Sequence, residues 1–494
     1  MKIKVESRSE NFELQVNVGH KLLHFLQDAG IPVNAACGGA GSCTKCRVKI
    51  KEGFVAITAA DRKAFSESEL AAGWRLSCQA HPRTNLNCLV PDVENLNAKP
   101  RVIVSKEQSP CSNPVLVCDL GSTGVVVALA NESGRILVET HLLNKQVRFG
   151  ADVMTRLKVA QDRGVSLLHE KILESLEPCL KEIEKASPEL FAKAKQKGLF
   201  CSGNSAILSF LHNWDISSLA VFPFQPLHKE SFETFSEKLK INLKSLPLLG
   251  GFVGADTFAG LYYIETLKAQ EPWMLVDIGT NTEIVLANGK GDFYFSSAPA
   301  GPAFEGGNIV QGMRAEAGAI SHAFYRNSKW DLETIGQDKA RGICGSGLMD
   351  ILFEAVNGEL LQKDGYLPDG KLMLNEEIYL VADDVREFQL AKSATRTACD
   401  LLIDRAGVRP QKIFLAGTFA EHLREESVRG IGLLPEQIPF ETIGNSSLKG
   451  TLLFAIASSQ EQKRYSAELL KKLKPLELAL QDDFQDAFVR NLNF

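Results

Sequence analysis

Apolar and polar positions along the 494-residue chain change period several times, and each change marks an element. Residues 2–8 and 12–18 alternate, which predicts a β-hairpin. Gly19 to Ala29 carries apolar residues at helical spacing and stops at Gly30 and Pro32. Further on, two apolar runs end in the same way. Val115-Leu116-Val117-Cys118 runs into Asp119-Leu120-Gly121-Ser122-Thr123-Gly124, and Trp273-Met274-Leu275-Val276 runs into Asp277-Ile278-Gly279-Thr280-Asn281-Thr282-Glu283. Both resume as apolar runs, Val125 to Leu129 and Ile284 to Leu286, so strand, polar turn and strand occur twice. Helical periodicity covers about 152–163, 168–186 and 384–406. Lys412 to Phe419 reads as a strand ending in Ala416-Gly417-Thr418, and 460–490 as a charged helical tail packing through Leu469, Leu470, Leu473, Leu476 and Leu478.

A carboxylate at a strand end, followed by small residues with free backbone N–H groups, can wrap phosphate oxygens while the Asp holds Mg²⁺ or orients a water. One such turn is equally an ordinary tight hairpin. Two copies are harder to explain that way. The pair resembles the phosphate loops of the actin/hexokinase/heat-shock ATPase superfamily, whose two related α/β lobes, built on ribonuclease-H-like repeats, clamp ATP. The resemblance assigns Mg²⁺ and the attacking water to Asp119 and Asp277, and the phosphates to Gly121, Ser122, Thr123, Gly279, Thr280 and Asn281. It places Gly417 and Thr418 beside adenosine, where Gly417 lets backbone approach closely. In Gly250-Gly251-Phe252-Val253-Gly254-Ala255-Asp256-Thr257 it turns Asp256 toward the nucleotide, although Asp256 fits a helix N-cap equally well. Gly345 and Ser346 open a helix whose N-terminus can face an anion, and the Gly/Pro-rich 298–307 suits a loop packed against ligand.

The N-terminal region carries a different chemistry. Cys37-Gly38-Gly39-Ala40-Gly41-Ser42-Cys43-Thr44-Lys45-Cys46 has the spacing C-x5-C-x2-C, with Cys78 as a distant fourth thiol. Plant-type 2Fe–2S ferredoxins use C-x4-C-x2-C plus a remote Cys. The loop here is one residue longer, as in the adrenodoxin-like branch. Three thiolates on one loop must point inward around two irons, and glycines let the backbone curl over them. A zinc site would favour two Cys pairs, whereas these ligands divide as three and one. Cys88 is a weaker rival for the fourth position. Strand, helix and cluster loop in this order match a β-grasp ferredoxin.

Composition narrows the class. Apolar content of 45% supports sizeable cores, and a net charge of −5 offers no basic block for nucleic acid. No apolar run approaches the roughly 18 residues that span a bilayer. The start lacks a signal-peptide core, and an odd count of 11 Cys with four in a metal-type motif favours a reducing cytoplasm.

A ferredoxin fused to a duplicated phosphate-turn ATPase resembles the reductive activators of corrinoid proteins. The likeness covers nearly the whole chain and includes CGGAGSC, RFGADV, GFVGADT, DIGTNTE, AGPAFEGGNIVQGMR, GICGSGLMD, REFQLAK and IGLLP. It implies an α/β protein: a 2Fe–2S ferredoxin domain over 1–94, a linker over 95–113 on which that domain swings, and ATPase lobes over 114–272 and 273–494. It further implies ATP, Mg²⁺ and a cluster held by Cys37, Cys43, Cys46 and Cys78. Reduced ferredoxin, flavodoxin or a reductase would donate an electron, a corrinoid protein would be returned from Co(II) to Co(I), and the chain would be a homodimer. Members usually carry a middle domain between ferredoxin and ATPase; here only the short linker is available for one, so a shortened form is expected. Two other functions fit parts of the pattern. One is an activator of a 2-hydroxyacyl-CoA dehydratase type of enzyme; the other is a small-molecule kinase with a regulatory iron–sulfur domain.

Overall fold

The computed structural model describes residues 1–7, 11–16, 18–31, 33, 35, 37–91, 99–106, 111–270 and 272–494. Its N-terminal part is a five-stranded sheet in the order Asn11–Gln15, Lys2–Glu6, Leu86–Leu89, Arg47–Glu52, Trp74–Leu76. The predicted hairpin forms, Ile3 pairing Leu14 and Val5 pairing Phe12. The helix Leu22–Asp28 buries Leu22, Leu23 and Leu26 against the sheet, the face its periodicity dictates.

The rest of the chain is built on two copies of one topology. In the first, Val115–Leu120, Gly124–Ala130 and Ile136–Leu143 form an antiparallel meander, and Leu199–Ser202 and Ile241–Ser245 add in parallel beside its first strand. In the second, Trp273–Ile278, Thr282–Ala287 and Phe293–Ala298 form the meander, and Lys412–Ala416 and Phe440–Gly444 add in parallel. The central strands are almost continuously apolar because both sheet faces are covered by helices. This is a two-lobed α/β architecture joined to a β-grasp domain.

Two expectations need adjustment. Within 95–113, Arg101–Val104 pairs antiparallel with Ile136–Leu143 and forms an edge of the first lobe's sheet. Its alternating Val and Ile outweigh the Pro and Ser around it. Residues 95–98 and 107–110 of that stretch lie outside the described residues. The tail is not wholly helical: between helices Ser459–Lys472 and Phe484–Arg490, Leu473–Pro475 joins Phe293–Ala298 at the edge of the second sheet.

The lobes meet through helices Ala255–Thr266 and Ser446–Ile456. Small residues allow the close crossing: a Cβ on Gly450 would stand 1.8 Å from the Ala259 carbonyl oxygen, and one on Gly260 3.0 Å from Ser446 Oγ. Gly450→Ala therefore tests the crossing. Helix propensity alone favours Ala by about 1 kcal/mol, whereas overpacking here should reverse the sign and destabilise by about 1–3 kcal/mol. The expected observation is a lower thermal unfolding midpoint.

Candidate active site and cluster site

Both meanders end at the same cleft, of about 790 Å³. Asp119 and Asp277 stand at the ends of their first strands, and the cleft is lined by Gly121, Ser122 and Thr123 from one turn and Gly279, Thr280 and Asn281 from the other. Asp256, Gly345, Ser346, Gly417 and Thr418 complete the wall, so every nucleotide-site residue expected from sequence lies on one surface. Asp256 is not an N-cap. Gly254 takes that position, and Asp256 sits in the first turn with Oδ1 accepting from the Thr257 N–H at 2.8 Å. The fold also requires glycine at 417: at φ +101°, a Cβ there would lie 2.5 Å from the Ile278 carbonyl oxygen, so its bareness seats the strand beside Asp277.

Other cleft residues carry no strong sequence signal. Asn445 Nδ2 and Ser447 Oγ each donate to the Asp119 carboxylate at 2.8 Å. They come from the N-terminus of the helix Ser446–Ile456, which Asn445 also caps by accepting from the Leu448 N–H. Glu305, from the Gly/Pro-rich loop, accepts from Thr280 Oγ1 at 2.9 Å. Glu283 follows the second turn and is buried. A strand followed by Asn-Ser-Ser is a cap signature, but which Asp it would reach depends on the lobe crossing.

The carboxylates raise one another. Burial lifts Asp119 above its ordinary range, against the hydrogen bonds from Ser447 and Asn445. Burial, with the charge of Asp119, raises Asp256 to about 6 despite the Thr257 N–H bond. Burial, Asp256 and Asp119 raise Asp277 to about 7. Glu283 lies well above a normal glutamate through burial and the charges of Asp256 and Asp277. Among the described residues no three His, Cys, Asp or Glu side chains converge as a site for one bare ion. The carboxylates of Asp119 and Asp277 at the strand ends are the hard oxygen donors that Mg²⁺ takes, one or two at a time, alongside water and phosphate.

The four motif cysteines meet as two pairs. Cys37 and Cys43 are hydrogen-bonded, as are Cys46 and Cys78. Burial pushes the Cys37 thiol up, yet hydrogen bonds from Cys43 and Ser42 outweigh it and bring it to about 6. The Cys46 thiol bond lowers Cys78 to about 7. Gly38, Gly39 and Gly41 all have positive φ. A Cβ on Gly39 would press on Leu23 at 3.3 Å and reach Cys78 Cβ at 3.8 Å, and one on Gly41 would meet Gln79 Nε2 at 2.8 Å. The loop can close over Cys78 only with glycines there. Two thiol pairs fit one pair per iron of a two-iron cluster. Cys88 instead lies fully buried in the strand Leu86–Leu89, opposite Val5.

The cysteine domain is docked on both lobes. Gln27 Nε2 donates to the Arg148 carbonyl at 2.6 Å, and Arg148 Nη1 donates to the Gly30 carbonyl at 3.2 Å. Gly38 rests on Thr155 and Phe149. On the other side Lys45, between Cys43 and Cys46, donates to Asn308 Oδ1 at 3.5 Å. A second cavity of about 900 Å³ opens between Thr44, Lys45 and both lobes.

A redox domain seated against a two-lobed nucleotide cleft defines a class, that of ATP-dependent electron-transfer proteins. Comparison with known proteins narrows it. Residues 5–83 match the family described as "2Fe-2S iron-sulfur cluster binding domain", 115–269 "RACo middle region", and 271–494 "C-terminal domain of RACo the ASKHA domain". The chain is 29% identical to "Corrinoid activation enzyme RamQ" of Eubacterium limosum, with 94% of each chain covered. It is 26% identical to "[Co(II) methylated amine-specific corrinoid protein] reductase" of Methanosarcina barkeri, over 77% of this chain and 76% of that one. A solved "Reductive activator for corrinoid,iron-sulfur protein" shares the fold at TM-score 0.69 and 22% identity, with 100% and 98% of the chains covered. The chain belongs to the reductive activators of corrinoid proteins. One expectation is overturned: the middle region is present, over 115–269. Its strand–turn–strand unit repeats that of the C-terminal region so closely that sequence pattern alone assigns it to the ATPase and leaves no room for a middle domain.

Cys43→Ala should remove the visible iron–sulfur absorption, measured on protein loaded under reducing conditions. The cleft carboxylates make a separate prediction. In the unfolded chain Asp titrates near 3.9, whereas Asp277 does so at about 7 when folded. Between these values the folded state binds more protons, so stability falls as pH rises. Without nucleotide or divalent cation, the unfolding midpoint should decline from about pH 4 to 7, and Asp277→Asn should flatten that decline.

Proposed function

We propose that the chain hydrolyses ATP to drive reduction of a corrinoid protein from Co(II) to Co(I). Co(I) is a strong reductant, so the transfer is uphill; for one electron about 59 mV is a factor of ten in equilibrium, and nucleotide binding energy can cover several such factors. Cys37, Cys43, Cys46 and Cys78 hold the 2Fe–2S group, which when bound supplies a one-electron carrier. Asp119 and Asp277 position Mg²⁺ and water, the residues of the two turns bind phosphate, and Gly417 and Thr418 border adenosine. A reduced ferredoxin, flavodoxin or reductase is the donor, the chain works as a homodimer, and the compartment is the cytoplasm. Among the described residues no helix is long and apolar enough to cross a membrane.

One observation carries this reading: each phosphate turn is hydrogen-bonded to a segment that touches the cysteine domain. In the first lobe Asn144 Nδ2 donates to the Gly121 carbonyl at 2.9 Å and begins the segment ending in Arg148 and Phe149. In the second, Thr280 donates to Glu305, three residues before the Asn308 that receives Lys45. Occupation of the turns by phosphate therefore bears on the seat of the electron carrier from both sides, which gives a two-state element that nucleotide can bias. A kinase with a merely structural cluster has no need of these links.

The test is direct. Chain and corrinoid partner are mixed with a low-potential reductant, and the cobalt absorption spectrum is followed with and without Mg·ATP. Formation of Co(I) should require ATP. Asp277→Asn should abolish both ATP turnover and Co(I) formation while leaving the iron–sulfur spectrum intact. Equal transfer with and without ATP refutes the proposal.

A further inference from the structure

The two lobes repeat one hairpin, and their registers show where they differ. In the first, Asp119 faces Val126 across the strands; in the second, Asp277 faces Glu283. Residues directly opposed on antiparallel strands share a face. Val126 and Glu283 thus hold corresponding places beside a strand-end carboxylate, both line the cleft, and each is 8% exposed. Since valine fills the place in the first lobe, the fold itself does not require a carboxylate there. Burying one is costly unless it is used. Glu283 has Ser297, its register partner on the next strand, donating to Oε1 at 3.4 Å. Its charged neighbours are Asp256 and Asp277, of the same sign.

We propose that Glu283 accepts the hydrogen bond of the attacking water in ATP hydrolysis, an inference that rests on the ATPase reading above. The water oxygen bonds to the γ-phosphorus as the bond from that phosphorus to the β–γ bridging oxygen breaks. The water's proton passes through Glu283 to solvent, and ADP and phosphate leave. Ser297 is a positioning residue that orients the carboxylate. Asp119 and Asp277 are then left to hold the hydrated cation. The two hairpins, alike in backbone, differ in what they do, since the first binds and the second also acts on water.

Glu283→Val copies the first lobe, and Glu283→Gln keeps the shape without the charge. Both are measured in the full, cluster-loaded chain with Mg·ATP. Each variant should lose kcat for ATP hydrolysis by roughly 10²-fold, with KM for ATP changed less than about threefold. The iron–sulfur spectrum should stay as in the unaltered chain, and Glu283→Val should unfold at an equal or higher temperature. Lower stability with kcat per folded molecule retained marks a structural residue and overturns the proposal. If Glu283→Val does not fold, Glu283→Gln decides alone. Turnover in the unaltered chain matched within twofold by the variants overturns this proposal only, whereas no turnover in the unaltered chain overturns the ATPase reading beneath it.

Discussion

The cleft depends on how closely the helices Ala255–Thr266 and Ser446–Ile456 can cross. Each follows a turn that ends at the nucleotide site, so their separation sets the distance between the two halves of that site. Gly450 against the Ala259 carbonyl and Gly260 against Ser446 bring the backbones nearly into contact. The consequence is chemical as well as steric. The second helix delivers its N-terminal Asn445 and Ser447 to the Asp119 carboxylate, a residue more than 300 positions earlier. Ser447 also shares a hydrogen bond with Ser202 at 2.8 Å, which ties the same contact to the neighbouring parallel strand. A carboxylate held by a helix N-terminus and two neutral donors is fixed in place, and those donors oppose the effect of burial on its charge.

Seating of the cysteine domain follows from the same geometry one layer out. The Asn144–Gly150 segment follows the third strand of the first meander and is hydrogen-bonded back to the first turn, and the Gly301–Arg314 loop does the same on the second. Both are tied by hydrogen bonds to the turns they pack against, Asn144 to Gly121 and Thr123 and the second loop through Gly301 and Glu305 to Thr280. The cysteine loop rests between them, through Gly38 on one side and Lys45 on the other. A conformational change needs a difference in free energy between two states to drive it, and a ligand bound between the turns would supply one only if the turns are connected to something else. Here they are connected to the elements that hold the thiols.

Much of this is legible in the sequence because the relevant signals are local. The strand–turn–strand repeat and the C-x5-C-x2-C loop each declare themselves within about ten positions, whereas the strand Leu473–Pro475 inside the tail does not. Every nucleotide-site residue named from those signals lies in one cleft, and all four motif thiols come together. What stays hidden is relational. Asn445 and Ser447 read as a helix cap, and only tertiary packing turns them onto Asp119. Glu305 sits in a loop that sequence marks as bent without saying which turn it meets. Arg101–Val104 reads as linker because composition around it is polar, whereas an open sheet edge on Ile136–Leu143 is available to it. The middle region is hard to see for the opposite reason: its pattern is strong, but it is the same pattern as the lobe that follows.

Duplication explains why the site has the electrostatics it has. Two copies of a strand-end Asp, brought face to face by the helix crossing, put like charges into a partly desolvated cleft. Asp256 and Glu283 add two more. Burial leads the influences that raise all four, and neighbouring acids add to it for Asp256, Asp277 and Glu283. A core selected for stability alone would place Lys or Arg there, or replace the acids with apolar residues of similar size. Four acids raised by burial are poorly compensated at this point until a cation arrives, and a triphosphate arrives with one. A nucleotide-borne cation in the cleft would offset that burial cost beside Asn144–Gly150 and Gly301–Arg314, the elements on which the cysteine loop sits.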